Sequence, residues 1–235
     1  MKVKYHFFGK DCIIDRGLIN RENLFQNLEK HGFTNKNLLF VNQIHSNEVF
    51  VIDNELKLHE KVNLSKVDLP KADAIVTNLK NVVIAVFTAD CSPICLFDEE
   101  KSIIAIVHSG WRGAKSGIIK NSISEMKKLG AKNIKAIIGP TISQESYHIT
   151  EEFFDQFLQE KEDNLKFFKT TDNKGCYFFD LPAYAVEKLK LEQVVEINNQ
   201  AIDTYKNEKD FFSYRRSIKR GEGDCGRNIS VIMMK

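Results

Sequence analysis

VVIAVFTADCSPICLFDEEKSIIAIVHSGWRGAK, residues 82–115, decides the architecture of this chain. Its two apolar runs, Ile94–Phe97 and Ser102–Val107, flank the charged quartet Asp98-Glu99-Glu100-Lys101, which predicts a β-hairpin with a polar turn. With Phe97 facing Ser102, Cys91 falls opposite His108, so a thiol and an imidazole meet at the open end of the hairpin. A slip of one residue would turn one of them to the other face. Asp90 before the thiol and Pro93 after it bend the chain there. After His108, Ser-Gly-Trp-Arg-Gly-Ala reads as a Gly-bounded turn leading into a helix, whose Ile118, Ile119, Ile123, Met126 and Leu129 form one buried stripe. Backbone N–H groups at such a helix start can receive an anion, although a plain structural crossover more often explains a Gly-rich turn.

Outward from this stretch, elements of both kinds intermingle. Strands are expected at Tyr5–Phe8, from Leu38 to Val41, at Glu48–Ile52, Ala72–Thr77, Ile134–Ile138, Tyr177–Phe179, Val194–Ile197 and Ile229–Met234. Helices are expected over residues 20–31 with Asn20 as cap, from Thr150 through Phe157 and Leu158, and from Pro182 to about Leu191. Residues 53–71, 143–149 and 159–175 read as irregular. The strands lack the regular crossover helices of a doubly wound fold, and no dinucleotide fingerprint is present. The expected class is therefore α/β (α+β), a mixed sheet core covered by helices, with residues 1–235 as one domain.

A chain of 235 residues can bury one substantial core, and 43 % apolar with 28 % charged residues is an ordinary soluble composition. A formal charge of +2 offers no electrostatic footprint for nucleic acid. The N-terminus lacks the apolar segment of a signal peptide, and no run is long enough to span a bilayer, so a soluble, cytoplasmic protein without membrane partners is expected. The five cysteines are scattered and odd in number, which favours reduced thiols. Among the six histidines, His45 is embedded between two strand-like runs. Asp73 opens an apolar run, either as a turn residue or as a carboxylate that orients an imidazole. Cys95 alternates onto the same side as Cys91 but lies about 13 Å away in an extended strand, so it is left out of the ligand set.

The ordered set Asn42-Gln43-Ile44-His45-Ser46, Ala72-Asp73-Ala74-Ile75-Val76-Thr77, Thr88-Ala89-Asp90-Cys91-Ser92-Pro93, His108-Ser109-Gly110-Trp111-Arg112-Gly113, Ile138-Gly139-Pro140 with Tyr147, and Phe211-Phe212-Ser213-Tyr214-Arg215-Arg216 spans nearly the whole chain. In it the chain resembles the laccase-domain or multicopper polyphenol oxidase family, described also as purine nucleoside phosphorylases and as peptidoglycan editing factors. The resemblance implies a single-domain α-β-β-α layered fold and one metal site at His45, Cys91 and His108, usually holding zinc. It further implies phosphorolysis of adenosine, inosine, guanosine and methylthioadenosine, with phosphate as co-substrate, and hydrolytic deamination of adenosine. Two positions depart from the pattern: Thr141 stands where relatives often have cysteine, and Ser46 where they often have glycine.

The residue types suit such chemistry. Two imidazoles and a thiolate form a catalytic zinc set with a position left for water or substrate. Asp90 and Asp73 are candidates for moving a proton, and Arg112, Arg215 and Arg216 for holding phosphate. Six histidines without tight His-x-His pairs do not supply a multicopper cluster, although Cu2+ would compete for the site in vitro. Two alternatives stand beside the phosphorylase: a Cys–His or zinc amidohydrolase that edits peptidoglycan precursors, and a non-enzymatic metal-binding protein. Monomer and homodimer are both compatible with the sequence.

Overall fold

The computed structural model describes residues 2–12, 14–15, 18–19, 21–33, 38–54 and 69–235. In chain order it begins with β1 (Val3–Phe8), the short strands β2 (Ile14–Asp15) and β3 (Leu18–Ile19), α1 (Arg21–Lys30), β4 (Leu38–Leu39) and β5 (Val49–Ile52). There follow β6 (Ala74–Thr77), β7 (Val83–Thr88), β8 (Ser92–Asp98), β9 (Ile103–Ser109), α2 (Trp111–Ser116), α3 (Ile118–Lys128) and β10 (Lys135–Ile138). The last part holds β11 (His148–Thr150), α4 (Glu151–Glu160), β12 (Phe168–Thr170), β13 (Cys176–Phe179), α5 (Leu181–Leu191), β14 (Glu196–Asn199), α6 (Tyr214–Lys219) and β15 (Asn228–Met234). The expected cap Asn20 and most of the irregular segment 53–71 lie outside the described residues.

The hairpin β8–β9 forms as the sequence predicts, but in a register two residues away: Phe97 pairs with Ile104 and Pro93 with His108. The turn keeps four residues but lies one position further on, because Asp98 ends the strand instead of starting the turn, and its carboxylate accepts from the N–H of Lys101. A shift of two preserves side-chain parity, so Cys91 and His108 keep a common face.

Around the hairpin the described residues form a six-stranded sheet in the order β14-β10-β8-β9-β6-β5 and a four-stranded sheet, β1-β15-β7-β4. Both mix parallel and antiparallel pairs. Alternation in the strands then sorts the core into layers. Ile75, Cys95, Phe97, Ile104 and Ile106 of one sheet meet Ile84, Val86, Ile232 and Met234 of the other in a buried inter-sheet layer. The opposite face of the six-stranded sheet, with Val76, Ile94, Leu96 and Val107, is covered by Ile119, Ile123 and Met126 of α3 and Leu189 of α5. The outer face of the four-stranded sheet, with Val83, Ala85, Val231 and Met233, is covered by Leu24 and Leu28 of α1. The result is the α-β-β-α layering. Covering both faces also explains why β8, β9 and β15 are buried at every position and read as continuous apolar runs.

Local readings needed revision where tertiary contacts decide. Residues 159–175 contain a 3-10 turn and β12, and β14 begins two residues later than expected. Helix α6 was not visible as a separate element. Trp111 and Arg112 are the first residues of α2, and Gly117, at φ 99°, separates that helix from α3. Six phenylalanines (Phe153, Phe154, Phe157, Phe167, Phe168 and Phe179) gather with Trp111, Tyr147 and Tyr184 in a satellite cluster under α4 and the small β11-β13-β12 sheet, outside the layered core.

Candidate metal centre

The site lies where the inter-sheet layer runs out of apolar side chains. On β9 the alternation that buries Ile104 and Ile106 between the sheets continues to His108. On β8 the alternation of Phe97 and Cys95 continues to Cys91, and ahead of β6 that of Ile75 continues to Asp73. One end of a hydrophobic layer thus carries a thiol, an imidazole and a carboxylate.

His45 arrives from a loop that has to be held in place. Asn42 donates its N–H to Pro70 O (2.9 Å) and accepts from Ala72 N (3.2 Å). The Gln43 side-chain amide stands in for a strand, donating to Phe87 O and accepting from Phe87 N, both at 2.8 Å. The Asp73 carboxylate then accepts from the N–H groups of Ile44 (3.3 Å), His45 (3.0 Å) and Ser46 (2.6 Å). His45 itself adopts φ 57°, the left-handed conformation that closes this turn. Ser46, where relatives often have glycine, adds its hydroxyl to Asp73 at 2.8 Å.

Ligand atoms of His45, Cys91 and His108 all lie within 4.8 Å of one another. His108 is buried, and its Nδ1–H donates to Asp73 Oδ1 at 2.8 Å, which leaves Nε2 for an ion. Gly110 is required by space: a Cβ there would sit 2.8 Å from Cys91 Sγ and 3.3 Å from His45 Cδ2. Burial alone would raise the Cys91 thiol, but the imidazoles of His108 and His45 pull it down to about 6. Burial likewise opposes charge on His108, yet the Cys91 thiolate and the Asp73 carboxylate push it up to about 9. Asp73, despite burial, is drawn to about 2 by His108 and Ser46. A half-buried thiolate flanked by imidazoles is the donor chemistry a zinc or copper ion takes. Cys95, by contrast, is fully buried among Ile106 and Ile137 and its thiol is pushed up by burial alone.

The other expected site residues are placed differently. Asp90 is buried at φ 88°; its Oδ1 accepts from Thr204 Oγ1 and its Oδ2 from Arg215 N, both at 2.7 Å. Burial raises its carboxyl in spite of those bonds. Thr141, the second departure from the family pattern, donates its hydroxyl to Asp90 O at 2.8 Å. Arg216 spends its guanidinium on three carbonyls, Thr204 O, Tyr205 O and Phe211 O. Arg215 lies over the Tyr147 ring and donates to His148 O. Arg112 stacks on Trp111, 4.4 Å from its ring, and among the described residues has no hydrogen-bond or ion-pair acceptor.

A cavity of about 930 Å³ opens over the three ligands. Phe40 and Phe87, stacked at 4.8 Å, form one side of it, while Tyr214 and Ile218 also line it. The sequence signal for these last two was available: Ser213 as a cap, followed by apolar positions four apart.

Residues 15–235 match the family described as multi-copper polyphenol oxidoreductase laccase. The chain belongs to this laccase family. A Rickettsia prowazekii protein named purine nucleoside phosphorylase RP494 is 36 % identical over 219 residues, 92 % of this chain and 87 % of that one. The crystal structure of the Neisseria meningitidis protein NMB0706, of the DUF152 family, superposes with a TM-score of 0.79 at 27 % identity, covering 99 % of this chain and 94 % of that one. The Bacillus licheniformis hypothetical protein YfiH shares the fold at a TM-score of 0.83 and 22 % identity, over 99 % and 93 % of the two chains.

For this laccase-family chain the expectation of a purine nucleoside phosphorylase with adenosine deaminase activity is corrected. The fold likeness together with the His–Cys–His cluster supports a metal-binding enzyme of this structural family. Arg216 gives three guanidinium N–H groups to backbone carbonyls, and Arg215 donates to His148 O. Among the described residues no helix is long and apolar enough to cross a membrane.

Proposed function

We propose that the chain hydrolyses an amide bond in a peptidoglycan-precursor peptide with one zinc ion held by His45, Cys91 and His108. The observation that carries this reading is the convergence of two imidazoles and a thiol within 4.8 Å on the floor of a large cavity. Three protein donors leave a coordination position for water or substrate, whereas a structural zinc takes four. Copper suits the same donors in vitro. A zinc ion there would polarise the amide carbonyl and lower the pKa of water.

The chain's own residues do the rest. Asp73 holds the His108 tautomer and, through three backbone N–H groups, the loop that presents His45. Asp90 ties the chain at Cys91 to Arg215, so it acts by positioning. Arg112, without an acceptor among the described residues, is suited to a carboxylate of the peptide. Hydrolysis consumes one water: its oxygen bonds to the acyl carbon, the C–N bond breaks, and the proton leaves with the amine. Free thiols fit a cytoplasmic setting.

A second reading has its own observation. Without metal, Asp73, His108 and Cys91 form a carboxylate–imidazole–thiolate series, with the thiol drawn to about 6, as in cysteine amidohydrolases. Release of an amino acid from a muramoyl tripeptide, assayed with elemental analysis before and after chelation, separates the two. Activity that follows zinc content supports the first. Activity retained after chelation, with an acyl-thioester trapped on Cys91, supports the second. Absence of amino-acid release from either form sinks both.

A further inference from the structure

Two neighbouring residues, Asp203 and Thr204, fasten together parts of the chain that are far apart in sequence. The Asp203 carboxylate accepts from the hydroxyls of Ser143 (2.5 Å) and Ser146 (2.6 Å), and so holds the turn that leads to Tyr147. The Thr204 hydroxyl donates at 2.7 Å to Oδ1 of Asp90, the residue before Cys91. Tyr147 and Cys91 therefore each follow directly on a residue held by this pair. A second tie runs from the Arg215 N–H to Asp90 Oδ2 at 2.7 Å, while the Arg215 guanidinium lies 5.1 Å from the centre of the Tyr147 ring. The spacing between phenol and thiol is thus fixed by hydrogen bonds that lie outside both groups.

The ring of Tyr147 is packed, but its oxygen has no protein partner. Phe153 and Phe179 hold the ring edge-on at 6.3 and 5.9 Å, and Phe153 in turn meets Trp111, on which Arg112 stacks. Among the described residues the Tyr147 hydroxyl has no hydrogen-bond partner, and it is not one of the enclosed, unpaired oxygens, those of Thr88, Ser109 and Tyr184. Burial raises the phenol, as do the charges of Cys91 and Asp90, against the pull of Arg215 and Arg112. A group that feels all four lies among them, and one so raised stays an O–H donor. Tyr147 does not line the cavity over the ligands; it meets Cys91 from beyond that lining, on the side of Arg112.

We propose that Tyr147 is a catalytic residue whose O–H donates to the oxygen of the scissile amide, most strongly when that oxygen becomes an oxyanion beside Cys91. A peptide that enters through the cavity and sets its carboxylate on Arg112 brings its amide past the phenol. A fixed donor aimed where negative charge develops lowers the barrier and leaves ground-state binding nearly as it was. The inference rests on the amide-hydrolase reading in either of its two forms, since attack by water and attack by the thiolate both create this oxyanion.

The test sets Tyr147→Phe, which keeps the ring, beside the unmodified full chain, both zinc-loaded. With the muramoyl tripeptide, kcat is expected to fall about 100-fold while KM stays within about twofold. Calorimetry with acetohydroxamate, whose oxyanion stands in for the reacting oxygen, gives a reading apart from turnover, and its affinity is expected to fall about tenfold. Zinc content and melting temperature should be the same in both proteins. A ring that only fills space would leave kcat and hydroxamate affinity unaltered in the Phe variant. Hydroxamate binding that depends on Tyr147, without amino-acid release by the unmodified chain, would leave the oxyanion donor standing and remove the hydrolase reading. Release with an unaltered kcat in Tyr147→Phe, an unaltered hydroxamate affinity, or no hydroxamate binding by the unmodified chain would each overturn the donor.

Discussion

Two buried carboxylates sit at opposite ends of the β8–β9 hairpin region, and they are used differently. At the turn end, Asp98, 1 % exposed, accepts from backbone, including Lys101 N at 3.0 Å, Lys132 N at 2.7 Å and Asn133 N at 2.9 Å. At the open end Asp73, fully buried, also gathers backbone N–H groups, from Ile44, His45 and Ser46, but adds the His108 imidazole. Both carboxylates are held below their usual range, against burial. The device is the same in each: a buried anion organises a loop through its amides. Only at Asp73 does the organised loop carry a histidine and the anion face another. A structural clamp there also orders the candidate metal ligands.

The largest expected effect separates the ligands from both clamps. Cys91→Ala or His108→Ala should take zinc from one per chain to none by elemental analysis, while the far end of the hairpin stays folded. Retention of stoichiometric zinc in either variant would remove the site from the account.

Asp73→Ala should destabilise by about 3–5 kcal/mol in chemical denaturation, since it leaves a buried imidazole and several N–H groups unpaired. The milder Asp73→Asn should weaken zinc by roughly 10–100-fold, measured by competition with a chelating dye. Asp98→Asn should cost about 1–3 kcal/mol and leave zinc affinity as it was. Its pH dependence has a definite sign. Because the native Asp98 carboxyl is depressed, its stabilisation is complete above the unfolded carboxylate value near ~3.9 and is lost as pH falls through the native one. Stability curves of wild type and Asp98→Asn should therefore converge below about pH 4. Parallel curves down to pH 2 would contradict the clamp.

The smallest change should come from Gly110→Ala, about 1 kcal/mol in stability, because the added methyl meets the Cys91 sulfur. Its effect should concentrate in zinc affinity, and an unaltered affinity would show that the ligands do not need this space.

Much of the layered core was legible before any coordinates. The continuous apolar runs of β8 and β9 follow from burial on both faces, and the stripe on α3 from helical spacing. Parity made Cys91 and His108 neighbours even though the register moved by two, since a shift of two leaves every side chain on its face. Elements whose form depends on partners were harder. β12 and β14 exist because they pair with β13 and β10, and α6 because Ser213 caps it through Arg216 N while the Arg216 guanidinium ties it to the carbonyls of Thr204, Tyr205 and Phe211.

Residue types and local periodicity thus determined which side chains could bind a metal and which runs had to be buried. The tertiary structure decided which of those side chains are free to act. Asp90, Arg215 and Arg216 look available in a linear chain, yet each is occupied by a partner 5 to 125 residues away. Arg112, Tyr214 and Ile218 keep their faces open to solvent. Sequence carries the chemistry of a group, but hydrogen-bond saturation is a property of its neighbours, and those are assembled only by folding.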